Sequence, residues 1–190
     1  MWSGLGSASS KRLRFWKIPD TLCAMAREIS AGGVVLRQID GVWNVALIEP
    51  QKENPKPAKS ARKRTRAVLA LPKGLVDPGE KPLATALREV KEETGILAEP
   101  VTKLVDIKYV YVRTWGDGER VFKIVSFYLL RYVSGEIDDV APDMRIEVKR
   151  ALWVTLDEAD RRLAYSGERT VLRQAQDYLE AHGLVPKPTP

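Results

Sequence analysis

The spacing of hydrophobic and polar residues along the chain predicts a mixed α/β domain. Short apolar or alternating runs predict strands at residues 31–37, 42–48, 67–71, 104–114, 120–132 and 151–156. Apolar residues at helical spacing predict helices at residues 82–94, 157–164 and 168–182. Asp40 and Gly41 predict the turn between the first two strands, and Gly32-Gly33 predicts close approach of another backbone segment.

The predicted helix at residues 82–94 combines clear end signals with an unusual charge pattern. Pro82 suits the first helical position, and Gly95 suits the residue just after the helix. Glu89, Glu92 and Glu93 lie three and four residues apart, so their carboxylates share one face, which we expect to be lined by solvent. Because like charges repel, a divalent cation is the simplest compensation, and all-carboxylate ligands favour Mg²⁺ or Mn²⁺ over zinc.

The run from Gly74 to Ile96 resembles the signature of the Nudix hydrolases, G-x5-E-x7-R-E-U-x-E-E-x-G-U, where U is a bulky aliphatic residue. Every fixed position of the signature is matched, by Gly74, Glu80, Arg88, Glu89, Val90, Glu92, Glu93, Gly95 and Ile96. A solvated acidic helix face is the ordinary explanation for a charge run. A match at this many fixed positions makes that explanation improbable. The resemblance implies the Nudix fold, in which a mixed β-sheet is sandwiched between helices (α/β/α).

The resemblance also implies a metal-dependent hydrolase that cleaves a nucleoside diphosphate linked to another group. Glu89, Glu92 and Glu93 are the implied metal ligands, with Glu93 favoured over Glu89 as the base that activates water. Some family members recruit a further carboxylate, and Glu136 is our first candidate for that ligand. The full set of acidic candidates is Glu119, Glu136, Asp138, Asp139 and Glu147.

Supporting roles follow from the same resemblance. Arg88 and Glu80 are expected to pair and to brace the loop against the helix. Gly74 is expected to let the backbone bend, so that the main-chain carbonyl of Lys73 faces the metal. The side chain of Lys73 is a candidate phosphate ligand, although a solvated loop lysine is about equally probable.

A basic segment interrupts the domain at residues 51–66. It contains seven Lys or Arg residues against one acidic residue, and two prolines. Such segments are usually solvated loops, and that is the favoured interpretation. The functional alternative is a clamp for polyphosphate or nucleic acid, with Arg62 and Arg64 as substrate-binding residues.

The substrate is predicted less specifically than the reaction. The sequence Leu71-Pro72-Lys73-Gly74 looks like that of Nudix enzymes acting on diadenosine polyphosphates, diphosphoinositol polyphosphates or nucleoside triphosphates. Because the basic segment would suit a substrate with many phosphates, a dinucleoside polyphosphate ranks first. A (d)NTP pyrophosphohydrolase that cleans the nucleotide pool ranks second, and an RNA 5′-end pyrophosphohydrolase third. A non-catalytic module that binds nucleotides or nucleic acid stays open, although such modules usually have eroded carboxylates, and here all are present.

Composition sets the remaining expectations. The chain has 190 residues, of which 44% are hydrophobic and 29% charged, as in a soluble protein of one domain. We expect an N-terminal extension at residues 1–29, a hydrolase domain at residues 30–183 and a flexible tail at residues 184–190. The absence of a long apolar run predicts no membrane segment, and one cysteine, Cys23, fits a cytoplasmic location. Small-molecule nucleotides are the expected partners, and no oligomeric state is predicted.

Overall fold

The computed structural model describes residues 25–51, 68–113 and 118–184. The strands are β1 (Ala26–Ile39), β2 (Val42–Pro50), β3 (Lys73–Leu75), β4 (Leu97–Val112), β5 (Arg120–Ser134) and β6 (Val148–Thr155). The helices are α1 (Pro82–Thr94), α2 (Leu156–Arg162) and α3 (Ser166–Ala181), and a short 3₁₀ turn lies at Met144–Ile146. No helix in these described ranges is long and apolar enough to cross a lipid bilayer.

The strands form one mixed sheet in the order β4-β5-β1-β2-β6, and β3 pairs with β1. β1 runs parallel to β5, with Ser30 opposite Val125 and Val34 opposite Leu129. The other named pairings are antiparallel. The parallel pair of β5 and β1 lies inside the sheet, between β4 and β2.

Helices cover both faces of the sheet, as the resemblance implied. On one face, Val34 and Leu36 of β1 pack with Leu172 and Leu179 of α3. On the other face, Val35, Leu130 and Val90 of α1 form a second apolar cluster. Alternate residues of β1 therefore contribute to opposite cores, which is the expected behaviour of a strand that is buried on both sides. The α/β/α prediction is confirmed.

The strand predicted at residues 67–71 is wrong. Leu69 and Ala70 are buried, but they form only isolated bridges, to Leu163 and Ile48 respectively. Pro72 follows and has no N–H to donate, so a ladder cannot continue through it. The third strand begins after it, at Lys73.

A close approach of two backbones brings β3 to the centre of the sheet. Lys73 lies opposite Gly32 in the ladder, and the N–H of Gly33 donates to the carbonyl of Pro72 at 3.1 Å. A Cβ at position 32 would overlap Pro72 and Lys73. The approach predicted from Gly32-Gly33 is therefore confirmed, and it fixes the residues that precede the acidic helix.

Candidate active site

Helix α1 begins and ends at the predicted residues. Pro82 lies in its first turn, and Gly95 adopts a left-handed conformation with φ of 80° while its N–H donates to the carbonyl of Lys91. The acidic face that it carries is not lined by solvent, contrary to the prediction. Glu89 and Glu93 are only 8% and 5% exposed, because they face the sheet, whereas Glu92 is more accessible.

Glu93 lies deepest in the site and contacts the third strand. The backbone N–H of Lys73 donates to Glu93 Oε2 at 2.7 Å. Burial raises the pKa of Glu93 to about 8, against the opposing effect of Lys73, and the charges of Glu89 and Glu147 add to the rise. Glu89 and Glu93 are both buried, so a nearby positive charge would stabilise their ionised forms.

Glu89 lies against the backbone of Gly74. A methyl group at position 74 would overlap the Glu89 carboxylate, and the φ of Gly74 is not positive. The glycine is therefore needed for close approach rather than for the backbone bend that we expected. Burial raises the pKa of Glu89, and the neighbouring Arg88 partly opposes that rise.

Arg88 joins the loop to two of the three glutamates of the acidic helix, Glu89 and Glu92. It donates to both oxygens of Glu80, at 3.1 and 3.0 Å, so the predicted pair is present. Its Nη1 donates to Glu89 Oε1 at 2.8 Å and to Glu92 Oε2 at 2.9 Å. Hydrogen bonds from Arg88 and Thr85 lower the pKa of Glu80 to about 2. Arg88 thus places a positive charge next to Glu80, Glu89 and Glu92.

Glu147 is an alternative to Glu136 as the further carboxylate. Glu147 directly precedes β6, and its charge contributes to the raised pKa values of both Glu89 and Glu93. The carbonyl of Glu136 accepts from the N–H of Asp139 and lies beside Gly95, past the end of α1. Glu136 and Glu147 as metal ligands both stay predictions.

The oxygen donors fit a hard divalent cation, although they do not yet converge. Within the described residues, no three acidic, histidine or cysteine side chains are close enough together to hold an ion. Arg88 bridges Glu89 and Glu92, so both carboxylates would turn away from the guanidinium to receive a cation. Buried carboxylates short of positive charge favour that exchange. The carbonyl of Lys73 as a ligand stays a prediction.

A cavity of about 650 Å³ lies on the face of the sheet that α3 covers, and its wall includes Lys73, whose backbone N–H binds Glu93. Its walls come from β3, β4, β5 and the start of α3, and they consist of Lys73, Ile107, Lys108, Tyr109, Val125, Phe127, Tyr165, Ser166, Gly167 and Glu168. Aromatic rings and ammonium groups in one cavity suit a ligand with a flat ring and anionic groups.

Glu168 is a residue of this site that the sequence did not reveal. It is 4% exposed, its Oε1 lies 3.2 Å from Lys73 Nζ, and its Oε2 accepts from the N–H of Leu71 at 3.1 Å. Burial lowers the pKa of Lys73, but the charges of Glu168 and Glu93 outweigh it and raise that pKa above its ordinary value. An acidic residue in the first turn of a helix interacts favourably with the helix dipole, so Glu168 did not stand out in the sequence as a site residue.

The NUDIX domain family matches residues 29–175 of the chain. The chain belongs to the Nudix family. That match covers both the acidic helix and the start of α3, so the Nudix domain includes the cavity as well as the carboxylates.

Curated relatives of this Nudix domain include one named as a mutator protein and one named as a tetraphosphatase. A putative mutator protein MutT4 of Mycobacterium tuberculosis is 34% identical over 92% of this chain, and the match spans 64% of that protein's length. The bis(5′-nucleosyl)-tetraphosphatase [asymmetrical] of Rattus norvegicus is 32% identical over 57% of this chain and 69% of its own. Among solved structures, a binary complex of a C. elegans Ap4A hydrolase has a TM-score of 0.58 and 24% identity, and the match covers 81% of this chain and 98% of that one. At that identity the structural likeness shows the Nudix fold alone.

The basic segment follows Gln51, which contacts the backbone of Glu147. Arg62, Arg64 and the rest of residues 52–67 lie outside the described residues, so their predicted substrate contacts stay predictions. Gln51 is the last described residue before them, and its N–H donates to the carbonyl of Glu147 at 2.7 Å. The chain therefore leaves the described structure next to the candidate fourth carboxylate.

Proposed function

We propose that this protein is a metal-dependent Nudix pyrophosphohydrolase that cleaves a phosphoanhydride bond, with a dinucleoside polyphosphate as its preferred substrate. The observation that carries the proposal is the double role of Lys73. Its backbone N–H binds Glu93 of the acidic site, and its side chain lines the adjoining cavity. A substrate with a nucleoside in the cavity would thus have its phosphates near the carboxylates.

The acidic residues divide the chemical work. Glu89, Glu92 and Glu93, with Glu147 as a fourth candidate, would hold Mg²⁺ or Mn²⁺. Such an ion, when bound, offsets charge on the phosphate oxygens and lowers the pKa of a coordinated water. Glu93 is our first candidate to accept the proton as the water oxygen bonds to phosphorus and the bridging P–O bond breaks. Arg88 holds the loop residue Glu80 against the acidic helix. The ammonium group of Lys73 would interact with the negative charge of the phosphates.

The names of the relatives support the nucleotide class and leave the substrate to experiment. A tetraphosphatase is among them, and its name supports the first rank that the sequence already assigned to dinucleoside polyphosphates. The cavity supports the same order, since two lysines and two tyrosines in its wall suit a nucleoside followed by several phosphates. A cytoplasmic location, where such nucleotides occur, belongs to the same proposal.

A substrate panel at constant ionic strength tests the proposal. We expect the highest kcat/KM for diadenosine tetraphosphate among diadenosine polyphosphates, canonical and oxidised (d)NTPs, and 5′-triphosphorylated RNA. Activity should require Mg²⁺ or Mn²⁺ and be lost in EDTA. A preference for a (d)NTP or for RNA would replace the proposed substrate. Binding of nucleotides without turnover in the presence of metal would contradict the enzymatic function.

A further inference from the structure

Lys73 connects the acidic site to the cavity, so what holds Lys73 affects both. Its backbone is fixed by the ladder to Gly32 and by the hydrogen bond to Glu93. Its side chain is long and carries one point charge at its end, and a lysine stem of four carbons takes up many conformations unless a partner fixes it. Among the contacts of the described residues, the partner of the ammonium group is Glu168 of α3.

Glu168 contacts the chain at the start of β3 at two points with its two oxygens. Oε2 accepts from the N–H of Leu71, which is itself fully buried, and Oε1 binds the ammonium of Lys73. One buried carboxylate on α3 therefore fixes both the path of the backbone into β3 and the direction of the Lys73 side chain. No other acidic side chain among the described residues lines the cavity.

The burial of Glu168 strengthens its hold on Lys73, whose side chain is partly exposed. Glu168 is 4% exposed, so its carboxylate has little access to water. Removal of one partner from a buried ion pair leaves an uncompensated charge, which the protein avoids by moving the remaining group toward solvent. Without the charge of Glu168, the Lys73 ammonium would leave the cavity wall by rotation of its stem.

We infer that Glu168 is a positioning residue for substrate binding, which holds the Lys73 ammonium at the cavity wall where a phosphate group of the substrate can meet it. The inference rests on the proposed polyphosphate substrate. It adds a residue far from the acidic helix in sequence, whose effect on binding passes through Lys73 and not through the metal-binding acids.

Substitution by glutamine separates the two contacts of Glu168. Glu168→Gln keeps an oxygen that can accept from the Leu71 N–H, but it removes the charge that holds Lys73. Lys73→Met removes the ammonium and keeps the volume of the stem. In the double variant neither charge of the pair is present, so it serves as the reference for the coupling between Glu168 and Lys73. Glu180→Gln, at an exposed position on the same helix, is the matched control.

Calorimetry with a methylene-bridged analogue of diadenosine tetraphosphate, in the presence of Mg²⁺, measures binding without turnover. We expect Glu168→Gln and Lys73→Met each to weaken binding at least about tenfold, the scale of one hydrogen bond to a charged group. The double variant should bind no more weakly than the weaker single variant, because both changes remove the same interaction. Glu180→Gln should bind like the wild type, and in hydrolysis Glu168→Gln should raise KM more than it lowers kcat.

The outcomes separate this inference from the proposed function. Wild-type affinity in Glu168→Gln, or additive losses in the double variant, would overturn the positioning role even if hydrolysis is confirmed. Failure of the wild type to bind the analogue would also overturn it. If binding weakens as expected while the wild type hydrolyses no nucleotide, the positioning role stands and the hydrolase function fails.

Discussion

Neighbouring glutamates of the acidic helix differ sharply in their surroundings. Glu92 is partly exposed and held by Arg88, whereas Glu93 is buried and held by a backbone N–H. A buried carboxylate with a fixed hydrogen bond is already oriented before any ligand arrives. The two residues should therefore both be needed for activity, with Glu93 the more sensitive to small changes in shape.

Loss of the carboxylate charge at either position should strongly reduce turnover. We expect Glu92→Gln and Glu93→Gln each to lower kcat about 100-fold or more, the scale for removal of a main electrostatic element. Kinetics with the best substrate from the panel, at saturating Mg²⁺, measures the effect, and circular dichroism checks the fold. Glu158→Gln on α2 is the control and should retain wild-type kcat. Turnover by the wild type in metal-free buffer would contradict the role assigned to these acids.

Gly74 matters because of the space that its missing side chain leaves for Glu89. Gly74→Ala would place a methyl group in the Glu89 carboxylate, and overpacking of this kind costs about 1–3 kcal/mol of stability. We therefore expect a lower melting temperature and a lower kcat. Glu89→Ala in the same chain removes the overlap, so the double variant should regain stability but not activity. Equal melting temperatures of the single and double variants would show that the contact is unimportant.

At the scale of elements, the loop before α1 is attached to the helix through Glu80, which accepts hydrogen bonds from Arg88 and Thr85. Arg88 donates to Glu80 twice and to the carbonyl of Leu75 at 3.1 Å, so it bonds the loop, β3 and the helix together. Glu80 also accepts from Thr85 Oγ1 at 2.6 Å. The loop between β3 and α1 is thus held by side chains, and its stability should depend on the charge of Glu80.

Because the loop depends on the charge of Glu80, the stability of the protein should change with pH where Glu80 titrates. The pKa of Glu80 is lowered to about 2 in the folded protein from an ordinary value of 4.5. Its stabilising contribution is therefore fully present above about pH 4.5 and is lost as the pH falls toward 2. Urea unfolding should show Glu80→Gln less stable than the wild type at pH 7, with a gap that narrows from about pH 4.5 to pH 3. Glu180→Gln should show no such narrowing, and a gap independent of pH would contradict the charged pair.

Local signals in the sequence predicted α1 well, because its ends depend on adjacent residues. Pro82 and Gly95 act within one turn of the helix, so both bounds were correct. The strand at residues 67–71 failed because burial alone looks like a strand, while pairing depends on Pro72 and on a distant partner. The parallel pairing of β1 with β5 was equally invisible, since it joins residues separated by most of the domain.

The site shows the same division between local and distant causes. The spacing of Glu89, Glu92 and Glu93 is local, so the sequence revealed it. Their burial is caused by the sheet beneath them, so the expected solvent-lined face was wrong. Glu168 contacts Leu71 and Lys73 only because α3 packs across the sheet, and no pattern near Glu168 carries that information.

The whole molecule carries a formal charge of +6, and seven of its basic residues lie between residues 51 and 66. The segment follows Gln51, whose N–H donates to the carbonyl of Glu147. Charges in solvent act on an approaching anion over about 8–10 Å at ordinary ionic strength. We propose that the segment attracts long polyphosphates without taking part in the chemistry.

Neutralisation of Lys59, Arg62, Lys63 and Arg64 together tests this role. We expect a higher KM for the longest polyphosphate substrate and a flatter dependence of kcat/KM on salt, with kcat nearly unchanged. A salt titration of the wild type and the quadruple variant measures both quantities. Parallel curves of equal height would mean that the segment is a solvated insertion with no part in substrate capture.

Side chains that line the cavity can be exchanged to change which substrate the protein binds. Ile107 and Tyr109 belong to β4, and Tyr165 precedes α3, so none of them shares an element with Glu89 or Glu93. Evolution or laboratory selection can exchange these three side chains while the hydrolytic groups keep their places. New substrates should therefore be reached first through positions 107, 109 and 165, and a library confined to them is the economical starting point for redesign.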